Sequence, residues 1–233
     1  MNRKFTNLIR YFMDEWIPPA IRDSKWFMYP FYWYAYKGKN LKSVMDFKSN
    51  AYKMSKEEFS DFYTKRDTRF SNSRPTDLSQ KCIDFMFDQI GNTDQSLLDV
   101  GCGSGYFLEQ AAKKGFATTG CDVIKGLKYE HSNYVQANVE SLPLDDNSFD
   151  IVTCSHTLEH VIDFETSINE LKRVAKKLLI VVVPCQRSFY YTLDEHVRFF
   201  PYKGALEQAM KMQNFKCEKI WGDLVFIGKI ENN

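Results

Sequence analysis

The sequence predicts an α/β domain built on a mostly parallel sheet with helices on both faces, preceded by a helical, aromatic-rich extension. Three observations lead there. LLDVGCGSGYF, residues 97–107, runs an apolar strand into a glycine-rich turn and then into a helix, the arrangement that cradles a cofactor at the carboxyl edge of a parallel sheet. Apolar strand-like segments then alternate with helical ones as far as residue 213. The chain finishes with FKCEKIWGDLVFIGKI, residues 215–230, which reads as a hairpin turning at Gly222-Asp223. A length of 233 residues suits one such domain, at 76–233, with an extension at 1–75.

The extension begins with FTNLIRYFMDEWIPPAIRDSKWFMYPFYWYAYKGK, residues 5–39, dense in aromatics and flanked by Lys25, Lys37 and Lys39. Pro18-Pro19 and Pro30 are expected to divide it into short pieces. Two readings stay open for it. Its aromatics pack as a helical lid on the domain, or they rest on a membrane surface, where Trp and Tyr favour the boundary and Lys favours anionic lipid. A polar stretch follows, with a helix expected at 55–65 and a loop at 66–75. Pro75-Thr76-Asp77 then reads as the cap of a helix at 78–90, with Cys82, Ile83, Phe85, Met86 and Ile90 on its apolar side.

The domain's strands are expected at 97–100, 116–123, 134–139, 150–155 and 177–184; the last is too apolar to be an edge. Helices are expected after Gly105, at 164–176 and at 203–213. Asp99 sits among buried residues, which is costly for a carboxylate unless something pairs with it. Asp122 closes the second strand about 20 residues past the glycine turn, where a carboxylate can accept from both hydroxyls of a ribose. The glycines run G-x-G-x-G, and Tyr106 stands where a dinucleotide fingerprint needs its third glycine.

LLDVGCGSGYF resembles the first motif of the class I S-adenosylmethionine-dependent methyltransferases, and the resemblance spans residues 95–185. It implies a Rossmann-like seven-stranded sheet whose last strand is antiparallel, and S-adenosylmethionine as cofactor. It also implies the cofactor residues. Asp99, Gly101, Cys102 and Gly103 would surround the methionine end, and Asp122 with Val123 the ribose. Asn138 and Val139 would face the adenine, Asn138 replacing the family's usual Asp with an amide oxygen that accepts the same bond.

SHTLEHV, residues 155–161, follows the fourth strand, so Ser155 and His156 would line the cofactor. His156, Glu159 and His160 spell H-x-x-E-H. As a zinc peptidase pattern it would need a long helix, and this one begins one residue beyond a strand. It is similar instead to the E-x-x-E-H metal set of ubiquinone-biosynthesis O-methyltransferases, with His156 in place of the first glutamate, so no metal is expected. His196, in QRSFYYTLDEHVRFFP after the fifth strand, is the first candidate base and His160 the second; Tyr190, Tyr191, Glu195 and Arg198 lie nearby.

A net charge of +1 predicts no general affinity for nucleic acid, but residues 1–81 hold 16 Lys/Arg against 9 Asp/Glu while the rest holds 15 against 21. Six cysteines without a C-x-x-C pair read as reduced thiols of a cytoplasmic protein. The start develops no apolar core of a signal peptide, and no run reaches the length of a membrane span. The function implied is methyl transfer to an oxygen or nitrogen of a small-molecule, glycan or lipid-linked acceptor, with peripheral contact at the inner membrane face through residues 5–39. A non-catalytic, membrane-associated protein that binds the same cofactor is the contrasting expectation.

Overall fold

The computed structural model describes residues 3–64, 75–91, 93–191, 193 and 195–231. It divides into two compact units, one of Met1–Pro75 with Gln186–Phe199, the other of Thr76–Cys185 with Phe200–Asn233. The segment after the fifth strand therefore groups with the extension and not with the sheet.

The first unit holds helices α1 (Arg3–Glu15), α2 (Pro19–Arg22), α3 (Lys25–Ala35), α4 (Leu41–Met45), α5 (Phe47–Ala51) and α6 (Lys56–Thr64). Pro19 begins α2, where its missing N–H costs nothing. Pro30 does not divide the chain as expected; it lies inside α3, where one rung is lost and the helix runs on to Ala35. Met13, Met28, Tyr32, Ala35, Tyr36, Val44 and Met45 form the core with Tyr191. Arg22 is buried beneath it, donating to the carbonyls of Met13 and Ser188 at 3.5 and 3.2 Å beside Asp14 at 3.6 Å. The loop expected at 66–75 lies outside the described residues except for Pro75.

The second unit begins with α7 (Gln80–Ile90), capped by Ser79, whose hydroxyl accepts from the Cys82 N–H; Pro75-Thr76-Asp77 lies upstream of the cap. Then follow β1 (Ser96–Val100), α8 (Tyr106–Lys113), β2 (Ala117–Asp122), β3 (Asn133–Gln136), β4 (Phe149–Ser155), α9 (Phe164–Val174), β5 (Ala175–Pro184), α10 (Lys203–Met210), β6 (Phe215–Ile220) and β7 (Asp223–Lys229). The strands form one seven-stranded sheet in the order β3-β2-β1-β4-β5-β7-β6. β1 to β5 are parallel, and β7 runs antiparallel to both β5 and β6.

Both faces of the sheet are covered, which is why β5 is a continuous apolar run from Leu178 to Pro184. Leu179, Val181 and Val183 face the side packed by α9 and α10. Ile180 and Val182 face the side packed by α7 and α8. No described helix is long and apolar enough to cross a membrane.

Four boundaries depart from the sequence reading. The hairpin turns at Trp221-Gly222, both at positive φ (52° and 97°), as a two-residue turn of the right twist requires; Asp223 is already in β7. β3 stops at Gln136 because Asn138 folds the chain back, its side-chain oxygen accepting from the Glu140 N–H. α9 passes directly into β5 at Ala175. α10 ends at Met210, where Lys211 turns left-handed at φ 48°.

Candidate functional site

The parallel strands end at one edge, and the residues singled out in the second unit gather there. The turn after β1 places Gly101, Gly103 and Gly105 at positive φ (75°, 49° and 76°). It is pinned to β2, because the N–H groups of Gly101 and Cys102 both donate to the Cys121 carbonyl at 2.7 and 3.1 Å. Glycine at 101 is enforced by a neighbour: a Cβ there would lie 1.9 Å from Thr157 Oγ1. At Gly103 a Cβ would meet nothing within 4 Å, so this backbone opens onto free space.

Asp122 ends β2 with both oxygens anchored. Oδ2 accepts from the Gly103 N–H at 2.9 Å and Oδ1 from the Ile124 N–H at 3.1 Å. A carboxylate oxygen has two acceptor directions, so each retains capacity for a hydroxyl donor. Val123 beside it is exposed.

Asp99 is buried, opposite Thr153 on β4, whose hydroxyl donates to Oδ1 at 2.7 Å. Burial pushes its carboxyl up to about 7; the Thr153 hydrogen bond pulls the other way, and Asp122 adds to the rise. Burial likewise pushes the Cys102 thiol up to about 12, so it packs as a neutral group.

Β2 and β3 are joined by residues 123–132 without a helix, short for a parallel crossover. Tyr129 fills that space. Its hydroxyl donates to the Gly103 carbonyl at 2.7 Å, and its ring lies where a Gly105 side chain would be. Asn138 uses its side-chain oxygen in the turn described above, and Val139 is buried in the core.

Past β4, Ser155 is half-buried and its carbonyl accepts from Thr157 Oγ1 at 3.1 Å. His156 has a left-handed backbone, φ 51°, and its ring lies between two buried carboxylates. Nδ1 is 3.3 Å from Glu159 and Nε2 is 3.6 Å from Asp223. Burial alone would lower its pKa, but the charge of Asp223 first, with its hydrogen bond and those of Glu159, raises it to about 10. At neutral pH His156 is an imidazolium held in an ion pair. His160 closes a short 3₁₀ turn, Leu158–His160, with Nε2 4.0 Å from Glu159.

The remaining candidates belong to the first unit. His196 is buried there, and Nδ1 is 2.7 Å from Gln186 Oε1. An Nδ1–H would donate to that amide oxygen. Burial pushes the neighbouring Glu195 carboxyl up to about 8. Tyr191 is in the core, while Tyr190 is exposed and pairs its hydroxyl with Ser49. A cleft of about 390 Å³ opens here, lined by Asp23, Lys48, Phe189, Tyr190, Val197 and Phe199 among others.

Thr153, Thr157, Tyr129 and Asp223 escaped the sequence reading. Only Thr153 left a signal, as a polar residue inside the apolar run of β4.

Residues 98–182 match the sequence model of a family described as a methyltransferase domain. This stretch, with its strand order and glycine turn, is a class I S-adenosylmethionine-dependent methyltransferase domain. The methyltransferase domain has relatives named ubiquinone biosynthesis O-methyltransferase. One from Coxiella burnetii is 29% identical over 130 residues, covering 52% of this chain and 53% of its own length. One from Hahella chejuensis is 32% identical over 143 residues, covering 56% and 57%. The chain thus spans little more than half of the curated relatives it matches. A solved methyltransferase from Aquifex aeolicus shares the fold, with a TM-score of 0.51 at 19% identity over 64% of this chain and 89% of its own. S-adenosylmethionine is the methyl donor such a domain takes, and the lining is compatible with it: open backbone at Gly103, a carboxylate at Asp122 anchored at both oxygens, and a buried carboxyl at Asp99.

Proposed function

We propose that this chain is a methyltransferase that uses S-adenosylmethionine to methylate an oxygen of a small-molecule, glycan or lipid-linked acceptor. The observation that supports it best is the pair of acids beside the open turn at Gly103, one buried and one anchored at both oxygens. Asp99, Gly101, Cys102 and Gly103 hold the methionine end in this reading. Asp122 and Val123 hold the ribose, Asn138 and Val139 the adenine, and Ser155 and His156 border the site. When bound, the cofactor supplies an activated methyl on a sulfonium, so the protein's task is chiefly to position and desolvate.

An oxygen acceptor needs a group to take its proton. His196 is proposed for this, supported by its buried position with Nδ1 held 2.7 Å from Gln186 Oε1; His160 is the second candidate. The relatives' names favour an oxygen acceptor over a nitrogen one. The same reading includes peripheral contact with the cytoplasmic face of a membrane through residues 5–39.

Calorimetric titration tests the cofactor half. S-adenosylhomocysteine should bind and NAD should not, since Tyr106 occupies the place of the third glycine. Asp122→Ala should weaken binding by about 1.5–3 kcal/mol, the loss of charge-assisted hydrogen bonds. Tight NAD binding without S-adenosylhomocysteine binding would overturn the proposal.

A further inference from the structure

Two helices of the first unit have apolar residues on the wrong side. α3 buries Met28, Tyr32 and Ala35 in the core of its unit. Its other face carries Trp26, Tyr29 and Trp33, spaced i, i+3, i+7, and these are 73, 48 and 54% exposed. No charged residue interrupts 26–36. α1 repeats the pattern. Met13 is buried, while Leu8, Phe12 and Trp16, spaced four apart, are 63, 54 and 70% exposed; the Trp16 N–H still donates to the Phe12 carbonyl.

A helix at a water-facing surface carries polar residues on its outer side. Scattered exposed apolar residues need no explanation, but two aligned stripes in one unit do. The composition of the stripes selects the occupant. Trp and Tyr dominate on α3, the residues that partition to the boundary between acyl chains and water. Lys37, Lys39 and Lys42 follow that stripe, Lys25 at its start pairs with Asp46 at 3.1 Å, and residues 1–81 have a net charge of +7 by the counts of 16 and 9. A protein partner fitted to this surface would call for complementary acidic or apolar relief. A planar anionic surface calls only for aromatics at headgroup depth with cations beside them.

We infer that the outward faces of α1 and α3 form a monotopic binding surface for an anionic lipid bilayer, with Trp26, Tyr29 and Trp33 inserted at headgroup depth. This deepens the membrane-contact part of the proposed function and stands independently of methyl transfer. Each lysine that reaches the surface contributes about fivefold in partition, so binding is lost as salt rises.

The test is flotation of the full chain with vesicles of phosphatidylcholine alone or mixed with phosphatidylglycerol, with tryptophan emission read in parallel. The chain should float with the anionic vesicles at low salt and sink at high salt. Its emission should shift to the blue and be quenched by brominated acyl chains. The triple variant Trp26→Ser, Tyr29→Ser, Trp33→Ser should lose partition by roughly tenfold or more while still binding S-adenosylhomocysteine. Tyr202→Ser, at an exposed aromatic of the other unit, should change nothing. The inference is overturned if the wild type stays at the bottom with anionic vesicles at low salt, or if the triple variant floats equally well. It is also overturned if the wild type self-associates in solution and the triple variant does not, since the occupant is then a second copy. Loss of cofactor binding in the wild type would instead refute the methyltransferase reading and leave this one intact.

Discussion

Replacing Asp99 by Asn should make the protein more stable and a poorer binder of its cofactor. The carboxyl is buried, and burial raises its pKa from 3.8 to about 7. Folding therefore favours its protonated form. The cost appears as pH rises above 3.8, and is complete above about 7. Roughly three pH units at about 1.4 kcal/mol each set an upper bound near 4 kcal/mol for holding the ionised group. Asparagine keeps an oxygen to accept from Thr153 Oγ1 and removes the charge. At pH 8 the variant should gain about 2–4 kcal/mol, a rise of roughly 4–16 °C in Tm for a chain of this size. Below about pH 3 the gain should vanish, because Asp99 is then neutral in both states. The cofactor's amino-acid end carries an ammonium, so affinity for S-adenosylhomocysteine should fall by about 1.5–3 kcal/mol in the variant. In the wild type that affinity should rise as pH passes upward through about 7. Thermal melts across pH and calorimetry at pH 8 read both effects. A variant that is less stable at pH 8, or that binds with full affinity, would show that the charge is not reserved for a ligand.

Two further outcomes follow from neighbouring residues. His156 is held as a cation with its pKa raised from 6.5 to about 10, so its stabilisation is full below 6.5 and lost as pH rises through about 10. His156→Gln should cost about 3–5 kcal/mol near pH 6.5, as when one partner leaves a buried ion pair, and the deficit in thermal melts should close toward pH 10. Gly101→Ala should destabilise the fold by at least about 1–3 kcal/mol for the strained φ alone, and more for the collision with Thr157. Thr157→Ala in the same chain should restore part of that loss, and strictly additive effects would deny the contact.

The sheet was legible because its signals are local. A strand buried on both faces is apolar along its buried length, as β5 is from Leu178 on, and a turn that needs positive φ displays its glycines, as residues 101–105 do. What misled were positions where tertiary context overrides a local rule. Pro30 stays in α3 despite one missing rung, because Met28, Tyr32 and Ala35 on either side of it are anchored in the core of the unit. Trp221 takes a left-handed turn position that its side chain disfavours, so the hairpin was placed one residue late. The grouping of Gln186–Phe199 with the extension has no local signature at all, because its fastenings to Arg22, Asp23 and Lys48 span more than 140 residues of sequence.

The site divides along the same line, and His156 shows why. Asp99 and Asp122 were readable because a carboxylate at the end of an apolar strand is anomalous wherever it occurs. H-x-x-E-H is a spacing, and a spacing states only which residues can lie near one another. A metal set and a buried ion pair draw on the same residue types at the same intervals. What distinguishes them is the third group, and here that group is Asp223, 67 positions downstream at the start of β7. Asp223 lies 3.6 Å from one ring nitrogen and Glu159 3.3 Å from the other, so His156 sits between two carboxylates. The replacement of the first glutamate by histidine thus turns this position into a cation that ties the turn after β4 to β7. The next residue, Thr157, is the side chain that a Cβ at Gly101 would strike, so the turn after β4 and the glycine turn after β1 meet at this point.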